Sequence, residues 1–418
     1  MQHPVEKRAR IIVGKSGKVY WWAILIVGMA LTAGGARAQN VDRLIADLRS
    51  PQVAVRADAA EALARVKSKR ALPALLRAMG DPVASVREQA ARAAAASADK
   101  RSVPLLLGSL KDSNAYRRAE AITVLGVLDD RRAEPALSEA TRDRNAAVRA
   151  AATEALGGLG DARALPALRA RLQDPYRRVR LKAVYALGGL RDPRAAPSLL
   201  PLLHDRDRAV QSAAAVALAQ TGDRSVVPAL IAILRRPPSG AFSLRFYAAY
   251  ALGALGDRRA VPVLEQGLRD RDYTLRATAA GALGRLRDPA ALPALVAALH
   301  DPRRMVRWTA AQALGNLRDR RAVPALLHSL KDSNEDVREQ AAKALGKIGD
   351  RAAVPGLIAT FHDSDDAIPK AAVLALGRIG DRRALPAVRG LFTDKSATVR
   401  QAARDAAQML EAGGGPSR

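Results

Sequence analysis

The sequence predicts an all-α solenoid of about twelve helical hairpins, each about 31 residues long, and three observations predict it. The first is a proline beat: Pro73, Pro104, Pro135, Pro166, Pro197, Pro228, then Pro262, Pro293, Pro324, Pro355 and Pro386. Every step is 31 residues except the 34 between Pro228 and Pro262. The second is a marker in the same phase: Arg56, Arg87, Arg118, Arg149, Arg180, Gln211, Arg245, Arg276, Arg307, Arg338, Pro369 and Arg400. Self-similarity at a fixed period of this size is the signature of stacked repeats. The third is composition, since alanine, leucine and arginine dominate while aromatic residues are 3%. Those are helix formers that pack in thin layers, each building its core locally.

Residues 1–38 lie outside the beat. Lys7, Arg8, Arg10, Lys15 and Lys18 precede the apolar run from Trp21 to Ala33, and Ala36-Arg37-Ala38 places small residues where a signal peptidase needs them. The expectation is a signal peptide over 1–38, or an uncleaved anchor over 19–36, short for a membrane span of about 20 residues. Either places the body outside the cytoplasm, in the periplasm or secreted. The solenoid is expected over 39–411 and a flexible tail over 412–418.

One unit, 319–349, reads DRRAVPALLHSLKDSNEDVREQAAKALGKIG. Pro324 stands where its missing N–H costs nothing, in the first turn of a helix. Val323, Leu326, Leu327 and Leu330 follow at helical spacing. The KDSNED segment is turn chemistry, with Asp332 and Asn334 able to bond nearby backbone. In the second helix Val337, Ala341, Ala344, Leu345 and Ile348 form the apolar stripe, and Gly349 suits its C-terminus. A hairpin of this size does not bury both faces of its stripe alone, so neighbours must stack.

The pattern LGDRRAVPxL…LxDxxxxVRxxAAxALG resembles HEAT repeats, specifically the short subclass first named from phycobilisome lyases (PBS lyase HEAT-like repeats). It spans about residues 41–410. The resemblance implies a right-handed α-α superhelix, with first helices on the convex side and second helices lining the concave side. Function does not follow from such a fold, because HEAT arrays serve many unrelated tasks.

Six residues before most of the phase arginines lies an aspartate: Asp81 and Arg87, Asp112 and Arg118, Asp174 and Arg180, Asp301 and Arg307, Asp332 and Arg338, Asp394 and Arg400. The arginine fork is expected to reach turn carboxylates and carbonyls of its own and adjacent repeats, a structural ladder and not an acid/base pair. A second recurrent aspartate (Asp161, Asp192, Asp257, Asp319, Asp350, Asp381) opens the turn between repeats and is expected to cap and orient it. The arginines after it (Arg131 and Arg132, Arg258 and Arg259, Arg320 and Arg321, Arg382 and Arg383) form either a basic strip for a polyanion or a solvated edge.

The net charge is +27, and +22 once residues 1–38, with six basic residues and one acidic, are removed. A field of that size attracts polyanions, acidic proteins or anionic lipid surfaces without choosing among them. The excess of arginine over lysine is equally what base-composition bias in a GC-rich genome produces. Sequence-specific nucleic acid is not among the expected partners.

No cysteine occurs, which excludes disulfides, thiolate metal sites and cysteine nucleophiles. His204, His300 and His362 occupy one position of their repeats; with layers about 10 Å apart, His300 and His362 stand about 20 Å apart. Metal ligands sit about 2 Å from their ion, so these two share none. Their expected role is to meet the negative end of the first helix. His328 lies elsewhere in its helix, without an evident partner. One family of HEAT-repeat enzymes, the deoxyhypusine hydroxylases, is recognised by His-Glu dipeptides that supply di-iron ligands, and none occurs here. Bilin lyases are a second enzymatic analogy, weakened by the export signal. No enzymatic activity, cofactor or metal is expected.

Positions +1, +2, +5 and +9 from the phase arginine vary most, and +1, +5 and +9 share a helical stripe. The stripe carries Asp58, Glu61, Glu120 and Glu154 early, interrupted by Arg65 and Arg92, and Lys343, Lys347, Lys370 and Arg378 late. Between them, on it or beside it, lie Leu181, Tyr185, Phe246, Tyr247, Tyr250 and Trp308. Of eleven aromatic residues beyond the signal segment, eight fall between Tyr176 and Trp308. Tyr185, Phe246, Tyr247, Tyr250, Trp308, Lys343, Lys347 and Arg378 are therefore the candidate residues of a groove for a protein or peptide. The alternative is that Tyr176, Tyr273 and Phe242 fill gaps around irregular turns. The late beat at RRPPSGAFSLRFYAAYALG, residues 235–253, is expected to be a longer hairpin turn stiffened by Pro237 and Pro238, with a local change of curvature as the alternative.

Overall fold

The computed structural model describes residues 40–237 and 244–412; residues 1–39, which include the signal segment, residues 238–243 and residues 413–418 lie outside the described residues. The chain is an all-α solenoid in which the described residues form two compact units, one ending at Ala164 and one beginning at Leu165. The first unit holds four hairpins, with second helices Val53–Val66, Ala84–Ser97, Ala115–Leu128 and Ala146–Leu159. The second holds eight, with second helices Arg177–Gly189, Arg208–Thr221, Leu244–Leu255, Tyr273–Leu286, Arg304–Leu317, Glu335–Ile348, Ala367–Ile379 and Ala397–Glu411.

Each hairpin after the first begins with a feature the periodicity did not reveal. The residues between the turn aspartate and the proline make a separate 3₁₀ turn, such as Arg320–Ala322, before the helix Val323–Ser329 starts. Asp319 caps that turn, accepting a hydrogen bond from the Arg321 backbone N–H at 2.9 Å. Pro324 then falls in the first turn of the helix, where no amide proton is required. Val323, Leu326, Leu330, Val337, Ala341, Ala344 and Leu345 are buried, while Leu327 and Ile348 are half-buried.

Adjacent second helices touch backbone to backbone. A Cβ at Gly284 would lie 2.7 Å from Cα of Ala313, and one at Gly253 would lie 2.6 Å from Cα of Ala282. Glycine at that place in ALG lets the next helix's alanine sit directly against it, so each layer is as thin as the backbone allows. The C-terminal slot of the same helix is left-handed: Gly349 has φ 74°, and Arg318 holds the equivalent position at φ 56°.

Stacking is latched on one edge by arginine forks. Arg307 donates from Nε to Asp332 Oδ2 at 2.7 Å and from Nη2 to Oδ1 at 2.8 Å, while Nη1 donates to the Asp301 carbonyl at 3.0 Å. The aspartate six residues upstream thus gives its backbone oxygen, and the carboxylate comes from the following hairpin. Arg56 with Asp81 and Arg118 with Asp143 repeat this in the first unit. Arg180 with Asp205, Arg245 with Asp270, Arg276 with Asp301 and Arg338 with Asp363 repeat it in the second. Burial alone would raise the Asp332 carboxyl, but the hydrogen bonds from Arg307 and the Asn334 backbone outweigh it, and the group is held below its ordinary range.

The ladder has irregular places. Arg87 donates to the carbonyls of Asp81 and Pro82 and stacks 3.9 Å from the Tyr116 ring centroid, while the Asp112 carboxylate is taken by Arg117. Arg180 and Arg400 each bond the carbonyl six residues upstream, Asp174 at 3.0 Å and Asp394 at 2.7 Å. Gln211 keeps the carbonyl bond to Asp205 at 2.6 Å, and the place 25 residues on holds Arg236, whose guanidinium lies 3.4 Å from the His204 ring. At that junction both members of the rung are replaced.

Candidate functional site

Of the aromatic residues singled out by position, Tyr185 and Tyr247 meet on one surface of the second unit, with Phe246 against Tyr247. Tyr185 from Arg177–Gly189 and Tyr247 from Leu244–Leu255 flank the helix Arg208–Thr221 between them, and with Arg208, Ala209, Ser212, Ala213 and Val216 they line an open groove of about 350 Å³. Tyr185 is 57% exposed. Phe246 meets Tyr247 edge to face, with ring centroids 5.1 Å apart, and both are half-buried. Edge-to-face contact fixes the Tyr247 ring before anything binds.

On the same helix as Tyr247, Tyr250 is exposed, and the guanidinium of Arg285, from the next second helix Tyr273–Leu286, lies 5.0 Å from its ring centroid. Burial pulls the Arg285 guanidinium below its ordinary range and the Tyr250 phenol opposes that pull. Trp308 is half-buried in Arg304–Leu317, a helix apart from the groove.

The late basic residues are less available than their positions suggest. Lys343 pairs with Glu339 at 2.7 Å and Lys347 donates to Asn316 Oδ1 at 3.0 Å. Arg378 is exposed. Tyr176 and Tyr273 are exposed at 59% and 42%, so they do not fill gaps; Tyr273 lies under the Arg303 guanidinium at 5.3 Å. Phe242 lies outside the described residues.

Two further expectations change. His328 has a neighbour after all, since its ring centroid is 5.9 Å from that of His300. The two rings line one cavity, and His328 lines a second with His362. The second arginine of each edge pair is held by its own turn: Arg132, Arg259, Arg321 and Arg383 contact Asp130, Asp257, Asp319 and Asp381 at 2.6–2.7 Å. The guanidinium and backbone N–H of Arg132 bring Asp130 down to about 2 against the opposing effect of burial. Among the first arginines, Arg258 and Arg320 approach Asp288 and Asp350 of the following turn at 3.6 and 3.8 Å. The edge is therefore an alternating row of charges, far less basic than its arginine count.

One feature of the surface was readable in the sequence but not in the stripe positions chosen. From Arg177–Gly189 through Arg304–Leu317, five consecutive second helices contain no aspartate or glutamate. Each second helix of the first unit carries at least one, and Glu335–Ile348 opens with two.

The family described as HEAT repeats matches residues 41–122, 109–187, 171–241, 239–315, 293–370 and 329–411. No curated protein matches the chain in sequence. Among solved structures, Kap95p, studied for its binding to RanGDP, gives a TM-score of 0.65 at 14% identity, over 98% of this chain and 67% of that one. Kap121p bound to Nup53p gives 0.56 at 14% identity, over 90% of this chain and 49% of that one. The CpcE–CpcF complex of phycocyanin lyase from Nostoc sp. PCC7120 is 26% identical over 51% of this chain and 94% of that one, at a TM-score of 0.36, where the likeness carries no argument. At 14% identity the first two show the fold alone. With repeat matches running from residue 41 to 411 in step with the helical hairpins, the chain belongs to the HEAT-repeat family.

Proposed function

We propose that the protein is a non-enzymatic scaffold or adaptor that binds a protein or peptide along the second helices of its second unit, on the face the family fold makes concave. The observation that carries this reading is the groove in which Tyr185 and Tyr247 flank the exposed side of Arg208–Thr221. Rings of this kind bury a large area at low conformational cost and are enriched where binding energy concentrates. The likeness in fold to Kap95p and Kap121p, whose structures concern complexes with RanGDP and Nup53p, supports a protein partner. Residues 1–38 read as an export signal, so the partner is sought in the cell envelope or outside the cell.

The test is an affinity pull-down from an envelope fraction with the wild type and with Tyr185→Ala/Tyr247→Ala. A partner held by the wild type and lost by the double variant supports the reading; the same recovery from both overturns it. The alternative, electrostatic capture of a polyanion or anionic lipid surface by the arginine edge, predicts binding that falls steeply with salt. The self-paired arginines of that edge count against it.

A further inference from the structure

The groove carries information about the sign of what it binds. Ten arginines and lysines stand on the five acid-free second helices: Arg177, Arg178, Arg180, Lys182, Arg208, Arg245, Arg276, Arg285, Arg304 and Arg307. The ladder uses Arg180, Arg245, Arg276 and Arg307. Arg177 and Arg304 pair with Asp207 and Asp336 at the helix starts. Arg208 and Arg285 have no carboxylate within ion-pair distance among the described residues, and both stand beside aromatic rings, Arg208 in the groove with Tyr185 and Tyr247, Arg285 over Tyr250. The nearest acid to Arg208 along the chain, Asp207, is occupied: its carboxylate accepts from the Ala209 backbone N–H at 2.9 Å and pairs with Arg177 at 3.3 Å.

A chain with 41 acidic residues that leaves five neighbouring helices free of them presents a surface of rings and uncompensated cations. Arg208 and Arg285 are both exposed and stand among like charges on acid-free helices, so what they cost the fold is the mutual repulsion of uncompensated cations. A carboxylate arriving with a ligand relieves that cost and is steered by the field of the surrounding arginines. A basic segment meets repulsion at the same places.

We infer that the occupant of this surface is an acidic, extended segment of a partner protein, which sets an apolar or aromatic side chain between Tyr185 and Tyr247 and carboxylates against Arg208 and Arg285. The inference rests on the peptide-binding reading above and adds the partner's charge.

The experiment selects phage-displayed random short peptides on the full chain and, in parallel, on Tyr185→Ala/Tyr247→Ala. Enriched peptides are then synthesised, and their affinities measured for the wild type, Arg208→Glu and Tyr247→Ala. The expected result is enrichment of peptides that combine aspartate or glutamate with one aromatic or aliphatic anchor. Their affinity should fall about tenfold or more in each variant. Peptides rich in lysine or arginine, or neutral ones indifferent to Arg208→Glu, would overturn the acidic assignment while leaving the peptide groove standing. No enrichment over the double variant would overturn both. A single-stranded DNA oligonucleotide or a phosphatidylserine vesicle that binds with loss in Arg208→Glu, where no peptide does, would replace the protein partner with a polyanion. Thermal melts check that the variants are folded, as expected for residues outside the buried stripe.

Discussion

Replacing Arg307 by glutamine makes, in a regular part of the array, the change the chain itself carries at 211. The side chains of Arg307 and Asp332 are 15% and 11% exposed. Glutamine keeps one bond to its own turn, as Gln211 does to the Asp205 carbonyl at 2.6 Å, but it loses the two charge-assisted bonds at 2.7 and 2.8 Å to Asp332. Asp332 is then left with the Asn334 backbone N–H at 2.9 Å. Breaking a buried ion pair costs about 3–5 kcal/mol, and water reaching this edge returns part of it, so the expected loss is about 2–3 kcal/mol. Because each hairpin contacts its neighbours alone, the loss should appear as faster amide exchange over residues 292–348 and fade beyond them. Adding Asp332→Asn removes the stranded charge yet keeps the bond from Asn334, so the double variant should recover about 1 kcal/mol. Since pairing holds the Asp332 pKa below its ordinary value of 3.8, the contribution is complete above that value and is lost as pH falls through the lower folded one. The gap between wild type and Arg307→Gln should therefore close in acid. Exchange in Arg307→Gln within about 0.5 kcal/mol of wild type at neutral pH would refute the view that the rungs latch the stack.

Gly284→Ala should cost about 1–3 kcal/mol in urea melts despite alanine's higher helix propensity, because the new methyl meets Ala313 Cα at 2.7 Å; a neutral or stabilising result would mean that the layers slide freely. Arg318→Gly, at φ 56°, should stabilise by about 0.5–1 kcal/mol, since the left-handed slot suits glycine; a lower melting temperature would mean that the arginine side chain matters more than its backbone. Amide exchange in Arg208–Thr221 and Leu244–Leu255 should be faster than in Tyr273–Leu286 and Arg304–Leu317, because the rung between the former two is missing; equal protection would show that helix packing alone sets local stability.

The fold was legible because a proline and an arginine mark the same place in nearly every hairpin, and their recurrence is read without knowing what they touch. Relations between repeats were harder to read. The partner of most phase arginines is a carboxylate 25 residues downstream, and periodicity offers the one six residues upstream equally well. The 3₁₀ turn was hidden because Arg-Arg-Ala before Val-Pro continues the helical alternation without a break in polarity. The meeting of His300 with His328 was missed because counting equivalent positions pairs residues 31 apart, while these are 28 apart and meet across the layer boundary. In the site, positional variation found Tyr185 and Tyr247. It missed Arg208 because that residue precedes the variable stripe, and it overrated Lys343 and Lys347 because it did not weigh Glu339, one helical turn before Lys343, and because Asn316 meets Lys347 across the layer boundary.

The late proline beat and the groove meet at one junction, and the charge pattern explains why this junction tolerates the insertion. In a regular hairpin the turn aspartate must face the preceding arginine, so lengthening the turn strands a buried charge. Between the sixth and seventh hairpins neither charge is present: Gln211 is neutral, Arg236 turns toward His204, and Arg245 keeps the next rung through Asp270. Had only Arg236 replaced an aspartate, an arginine at 211 would have faced it and repelled it. Loss of both partners removes the penalty, and the turn is free to lengthen. The aromatic helix Leu244–Leu255 follows that turn directly, packed against the helix whose exposed side forms the floor of the groove. A junction of the second unit that lacks its rung thus lies beside the groove lined by Tyr185 and Tyr247, an arrangement in which a bound segment would supply the cross-layer contacts that the missing rung does not.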